Sequence, residues 1–138
     1  MHLIWNDTFK FEMHDPLYQI YKNEWWTEGR SHADVIRAFE NSDIFISCLT
    51  SDGELIAFAR ILTDFTFKAV IFDQIVDANS RDQNIGEQLL DKIISHDQLK
   101  SVQSFELYCP DHIAPFYEKF DFERSSSKLL RLARSTSK

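Results

Sequence analysis

The sequence predicts a mixed α/β fold, with an antiparallel meander at its centre and a strand-helix-strand crossover after it. Three observations carry this. Apolar residues recur at helical spacing through residues 15–42. The period then changes to that of strands through residues 43–77. Beyond Ser80 a helical stripe is followed by a further apolar strand. The chain has 138 residues, 43% hydrophobic and 14% aromatic, which is ample for one core. No repeat, low-complexity tract or linker divides it, so a single domain over 1–138 is expected.

"FKFEM" (9–13) reads as a first strand. "DPLYQIYKNEWW" (15–26) reads as a helix, with proline just inside its start and Leu17, Ile20, Tyr21 and Trp25 on one stripe. "SHADVIRAFENS" (31–42) reads as a second helix capped by Ser31, with Val35, Ile36 and Phe39 on one face. "DIFISCLTSDGELIAFARILTD" gives two strands joined by a turn at Ser51-Asp52-Gly53. A turn near Asp64-Phe65-Thr66 leads into "FKAVIFDQIVD" (67–77), apolar on both faces as for a covered central strand. Ile85, Leu89, Leu90, Ile93 and Ile94 make a helical stripe from Asn84 to His96. "VQSFELYC" (102–109) reads as another covered strand. "DHIAPFYEKF" (111–120) reads as a short helix interrupted by Pro115. "FERSSSKLLRLA" (122–133) reads as a final strand or pair of strands, and "ARSTSK" as a frayed tail.

Net charge is -7 and the pI about 5.1, so the surface repels phosphate backbones and a general nucleic-acid binder is not expected. Cys48 and Cys109 sit in strand-like apolar runs and read as buried free thiols, too few for a disulfide framework or a metal site. The five histidines have no metal-ligand spacing. No signal peptide and no apolar run of membrane-spanning length is visible, so a cytoplasmic protein with no membrane partner is expected.

Gly86 is one of only three glycines, and it lies inside a helical pattern, where glycine costs about 1 kcal/mol relative to alanine. A covered strand that runs through a loop into a helix is a means of holding an anion. The first helical N–H groups lack partners, and the helix dipole is positive there. Close approach of a pyrophosphate favours a residue without Cβ, and Arg81 adds a positive charge. Gly86 is equally read as a place where the helix packs tightly on the sheet.

"SRDQNIGEQLL" (80–90) resembles the acetyl-CoA loop of the GNAT superfamily of N-acetyltransferases, whose pattern is Gln/Arg-x-x-Gly-x-Gly/Ala. Arg81, Asn84 and Gly86 fall on its three marked positions. "GELIAFARILTDFTFKAVIFDQIVD" resembles the family's meander, and "APFYEKFDFE" its later "YEKxGF" segment, with Tyr117 on the tyrosine. Order and spacing also fit, and the pieces together cover roughly 53–123. The helical first part, with "WWTEGRS", resembles a branch of small bacterial members. There are departures. Asn84 replaces the first loop glycine, but Asn tolerates left-handed backbone. Asp82 follows Arg81, where a solvated carboxylate a few ångströms from pyrophosphate costs roughly 1 kcal/mol. Asp121-Phe122 replaces the family's "GF" and suggests a different turn.

The resemblance implies a GNAT-like acyl-CoA N-acyltransferase fold: a central, mostly antiparallel sheet with helices on both faces. It implies an acetyl-CoA-dependent N-acetyltransferase acting on a primary amine of a small molecule or amino compound. The alternative is a GNAT-fold binding or regulatory protein with a degenerate loop. Homodimers are frequent in the family. The resemblance places the pantetheine arm along Ile75 and Val76, and the pyrophosphate on the loop Arg81, Asp82, Gln83, Asn84, Ile85, Gly86 and Glu87. Tyr117 falls on the general acid to the leaving thiolate; the other reading is a core aromatic. Asp73, in "VIFDQIV", is a candidate base for the amine or an ion-pair partner of Arg60, which shares its face across the meander. Glu24 and Glu28 are weaker candidates for the base. Trp25, Trp26, Arg30, Phe58 and Arg60 are candidates to line the acceptor pocket, although a tryptophan pair at a helix end also serves packing.

Overall fold

A computed structural model describes residues 2–81 and 83–134. They fall into two compact units, divided between Leu107 and Tyr108. The first unit holds a five-stranded sheet in the order β1-β2-β3-β4-β5. Its strands are β1 (Leu3–Asn6), β2 (Ile44–Thr50), β3 (Leu55–Thr63), β4 (Lys68–Val76) and β5 (Ser104–Leu107). The first four pair antiparallel and β4 pairs β5 in parallel. That change of direction is the crossover expected from the sequence, and α3 (Ile85–Ile94) makes it.

The first strand lies earlier than the sequence pattern suggests. Residues 3–6 pair with β2, whereas Phe11–Met13 form a 3-10 turn leading into α1 (His14–Tyr21). Helix α1 also stops five residues short of the expected end. The Thr27 hydroxyl donates to the carbonyls of Tyr21 (3.0 Å) and Glu24 (2.7 Å), satisfying end groups that further helix would otherwise use. Trp25–Thr27 then form a 3-10 turn. Helix α2 (His32–Glu40) begins as expected: the Ser31 hydroxyl accepts from the Asp34 N–H at 3.1 Å.

Leu17 and Tyr21 of α1 and Val35 and Phe39 of α2 pack on Phe45, Leu55, Phe58 and Ile75 of the sheet. Helix α3 buries Ile85, Leu89, Leu90 and Ile93. Its Lys92 ammonium lies over the Trp5 ring, whose strand neighbour Cys48 alternates with the face that carries Phe45. Helices thus cover both faces of the sheet. The best-covered strands are β2 and β3 rather than β4, and β5 lies at the edge with its residues only half-buried or exposed. Cys48 is buried and free, but Cys109 is exposed, contrary to its apolar run.

At the β3–β4 turn Phe65 takes φ 61°, an uncommon conformation for a bulky side chain. Asp64 Oδ1 holds this turn by accepting from the N–H groups of Thr66 (2.9 Å), Phe67 (2.7 Å) and Lys68 (3.1 Å).

The second unit contains α4 (Ala114–Glu118). Asp121 closes it at φ 70°, with the Phe122 N–H bonded to the Tyr117 carbonyl (3.3 Å) and the Asp121 N–H to that of Glu118 (3.1 Å). This is a Schellman cap, with Asp121 in the left-handed position that glycine usually takes. Phe122 completes it by edge contact with the Tyr117 ring at 5.7 Å. The departure at Asp121-Phe122 therefore still yields a glycine-type cap. Residues 122–134 form no strand, unlike the sequence reading.

Candidate functional site

Strand β4 is bulged at its centre. Phe58 faces Ile75 and Arg60 faces Phe72, so Asp73 and Gln74 together oppose Ala59. Asp73 sits at φ 53°, a left-handed conformation that aspartate tolerates better than most residues. Its Oδ2 accepts from Arg60 Nε at 2.6 Å, and the two side chains are 7% and 16% exposed. The Arg60 guanidinium lies 4.9 Å from the Phe72 ring centre and 5.7 Å from that of Phe39. Of the two readings of Asp73, the ion pair is thus formed.

Tyr21, read from sequence only as part of an apolar stripe, joins this network. Its hydroxyl accepts from Arg30 Nη1, and its ring meets the Trp26 ring edge-on at 5.8 Å. Burial, and secondarily the Asp73 carboxylate, raises the Tyr21 phenol above its ordinary pKa, while Arg30 pulls it back. A tyrosine within a helical stripe carries no sequence signal that separates this role from packing.

The two tryptophans part company. Trp26 packs beside the core, and the Arg30 guanidinium lies 5.8 Å from its ring centre. Trp25 is 76% exposed and lines a cleft of about 260 Å3 with Ile20, Glu24, Val76, Asp77 and Arg81. Phe58 has no exposed surface, so it underlies the helices and cannot touch an acceptor. Arg60, covered by two rings and paired with Asp73, is likewise a supporting residue.

Beyond β4 the chain makes a 3-10 turn over Ala78–Ser80 and then enters α3. Arg81 is engaged at both ends of its head group. Its Nε donates to the Val76 carbonyl (3.0 Å) and its Nη2 to Glu24 Oε2 (2.8 Å). Asp82 lies outside the described residues. Asn84 takes φ 57° and ψ 26°, the left-handed conformation that lets it stand where glycine is usual, and its side chain does not cap α3. The Asn84 carbonyl accepts from the Gln88 N–H at 3.1 Å, but the Asn84 side chain offers no acceptor to the N–H groups ahead of Gln88, which have none within the helix. Ile85 is fully buried and anchors this end, and the Gln74 side chain reaches the Gly86 carbonyl at 3.3 Å, tying the bulge to the helix. Gln83 joins through its carbonyl, which accepts from Gln88 Nε2 at 3.3 Å. Glu87 places a carboxylate in the first turn.

A bulged strand, a left-handed asparagine and an uncapped helix start, in that order, match the chemistry of a phosphate-bearing chain laid along β4. The sequence profile of the acetyltransferase (GNAT) family matches residues 5–122. The chain belongs to the GNAT acetyltransferase family. It is 28% identical over 96 residues to serotonin N-acetyltransferase 2, chloroplastic, of Oryza sativa subsp. japonica, an alignment covering 67% of this chain and 48% of that one. It is also 28% identical over 95 residues to GCN5-related N-acetyltransferase 2, chloroplastic, of Arabidopsis thaliana, covering 64% and 36%. The GNAT chain therefore spans about half or less of the length of these curated relatives. A structure from Xanthomonas campestris pv. campestris, described as belonging to the GNAT family, superposes with a TM-score of 0.81 at 21% identity. That superposition covers 96% of this chain and 94% of the other, and at this identity it speaks for the fold alone.

In the second unit Tyr117 is half-buried on α4, with its ring 5.0 Å from that of Phe116. Burial, with a smaller effect from Cys109, pushes its phenol up to about 12. Among the described residues no helix is long and apolar enough to cross a membrane. No group of three or more His, Cys, Asp or Glu residues there could hold a metal.

Proposed function

We propose that this chain is an acetyl-CoA-dependent N-acetyltransferase that moves an acetyl group to a primary amine of a small molecule or amino compound. The observation that carries the reading is Asn84. Its left-handed backbone, directly after the β4 loop, aims an uncapped helix start at the place a pyrophosphate would take. Membership of the GNAT family supports the acyl donor. The name of the rice relative, a serotonin N-acetyltransferase, supports an amine acceptor.

Acetyl-CoA, when bound, supplies the thioester whose acetyl group the amine takes. In this reading the amides from Gln83 to Gly86 hold the pyrophosphate, with Glu87 in the same turn. The backbone of Ile75 and Val76 lies beside the pantetheine arm. The acceptor enters past Trp25 and Asp77, where Ile20 and Glu24 complete the cleft. The amine must be neutral to attack, and a water chain takes its proton, because Asp73 is committed to Arg60. Arg30 and Trp26 hold the Tyr21 hydroxyl and ring in place rather than touch the acceptor.

Tyr117 is assigned to the leaving thiolate. With its phenol near 12 and a thiol near 8.5, complete proton transfer is uphill by about 5 kcal/mol. Tyr117 therefore donates a hydrogen bond to the thiolate and keeps its proton.

One observation favours a second reading, a GNAT-fold binding protein that holds the co-substrate weakly. Arg81 spends its charge on Glu24 and covers the Val76 carbonyl, a group the pantetheine arm would otherwise reach. Calorimetric titration with acetyl-CoA, with desulfo-CoA and ATP as controls, separates the two. Saturable micromolar binding supports the enzyme. No binding up to millimolar concentration overturns it.

A further inference from the structure

We infer that Glu24 and Arg81 form a latch across the candidate co-substrate site, and that acetyl-CoA binds by drawing Arg81 off Glu24. The inference rests on the acetyl-CoA reading above and names how that same site is regulated.

The latch joins segments that lie 57 positions apart in the sequence. Glu24 stands just past the end of α1, and its backbone is held on both sides. Its N–H donates to the Tyr21 carbonyl at 3.2 Å. Its carbonyl accepts from the Thr27 hydroxyl at 2.7 Å and from the Thr27 N–H at 3.1 Å. The carboxylate is therefore delivered from a fixed corner, and the side chain is only 20% exposed. Arg81 is the longer partner and is 54% exposed. It can leave by changing its own rotamer, with no movement of the sheet.

The place that Arg81 takes makes the contact a competitor. Its Nε donates to the carbonyl of Val76, the last residue of β4, at 3.0 Å, while its Nη2 donates to Glu24 Oε2 at 2.8 Å. The planar fork of the guanidinium lets it make both bonds at once. One side chain thus occupies a backbone acceptor assigned to the pantetheine arm and withholds its charge from a pyrophosphate at the start of α3. Glu24 and Arg81 both line the 260 Å3 cleft, so the pair ties its α1 side to its loop side.

A part-exposed ion pair is a weak bond, which suits a latch that must open. A pyrophosphate carries more negative charge than one carboxylate and accepts the same bidentate hydrogen bonds, so it is the stronger partner for Arg81. Closed for about two thirds to nine tenths of the time, the latch weakens the apparent affinity roughly threefold to tenfold.

The test is calorimetric titration of the full chain with acetyl-CoA, for the parent, Glu24→Gln, Arg81→Met and the double variant. Glu24→Gln should tighten binding about threefold to tenfold. The gain should vanish in the Arg81→Met background, where no latch is left to release. A gain of equal size in both backgrounds is the field of a removed carboxylate and overturns the inference, as does an unchanged affinity in Glu24→Gln. Either result leaves the acetyl-CoA reading standing, because the parent binds. Binding by Glu24→Gln with none by the parent supports the latch and the reading together. No binding by either overturns both. Should Glu24→Gln fail to fold by circular dichroism, nitrogen-15 NMR of the unaltered protein decides. The Arg81 Nε–H signal should be shielded from solvent exchange before acetyl-CoA is added and should shift on its addition. A signal that exchanges freely from the start, or that acetyl-CoA leaves in place, overturns the inference.

Discussion

Arg60 Nε lies 2.6 Å from Asp73 Oδ2, and the pair holds a residue at φ 53° in the middle of the strand that runs to the candidate cofactor loop. Both side chains are largely buried, so removing one leaves the other unpaired. Asp73→Ala should lower stability by about 3–5 kcal/mol, read from urea unfolding. Asp73→Asn keeps a side chain that tolerates left-handed backbone and should lose less. A stably folded Asp73→Asn whose turnover drops a thousandfold would instead assign Asp73 to proton removal.

Tyr117→Phe should lower turnover about tenfold to a hundredfold while acetyl-CoA affinity stays nearly constant. The phenol is raised to about 12, so it remains protonated across the working range and adds no basic limb to the pH–rate profile below that value. Equal turnover in the variant, or a limb near pH 10 that the variant lacks, would remove the assigned role.

If the proposed loop holds acetyl-CoA, Gly86→Val should weaken its binding by tenfold or more, because a branched side chain would crowd a pyrophosphate at the first turn of α3. Thermal stability should change little, since valine is a slightly better helix former than glycine. Unchanged affinity with a lowered melting temperature would mean that Gly86 serves packing on the sheet.

Asp64 predicts a pH effect on stability. Three backbone N–H groups hold its carboxyl below the usual carboxylate range. The folded value is therefore lower than the unfolded one. The stabilisation is complete above the ordinary aspartate value near 4 and is lost as pH falls through the lowered value. Asp64→Asn should lower the melting temperature at pH 7, and by less at an acid pH below the lowered value. An equal deficit at both pH values would show that the carboxylate charge is not what holds the turn.

Local rules were legible wherever a local interaction settles the structure. Ser31 caps α2 because its hydroxyl meets an amide three residues on, and Gly53 turns the β2–β3 hairpin at φ 88°. The α3 stripe is buried because its spacing leaves one apolar face. Where a distant partner intervenes, the reading shifts. Residues 9–13 have strand-like composition, but residues 3–6 take the place beside β2. The expected 15–26 helix ends at Tyr21 because Thr27 folds back on its carbonyls.

The order of periodicities was enough to set the α/β class, the meander and the crossover, since alternation and helical stripes follow from side-chain geometry within each element. The loop, the meander and the later tyrosine segment, taken in order and spacing, were enough to point to the family that the profile over residues 5–122 shows. Only the tertiary structure decided which side chains meet. Asp73 finds Arg60 because a one-residue bulge turns β4, Arg81 finds Glu24 from 57 positions away, and Tyr21 finds Arg30 because α1 ends where it does. These contacts depend on register and on helix termination, and a one-residue slip in either sends a side chain to the opposite face.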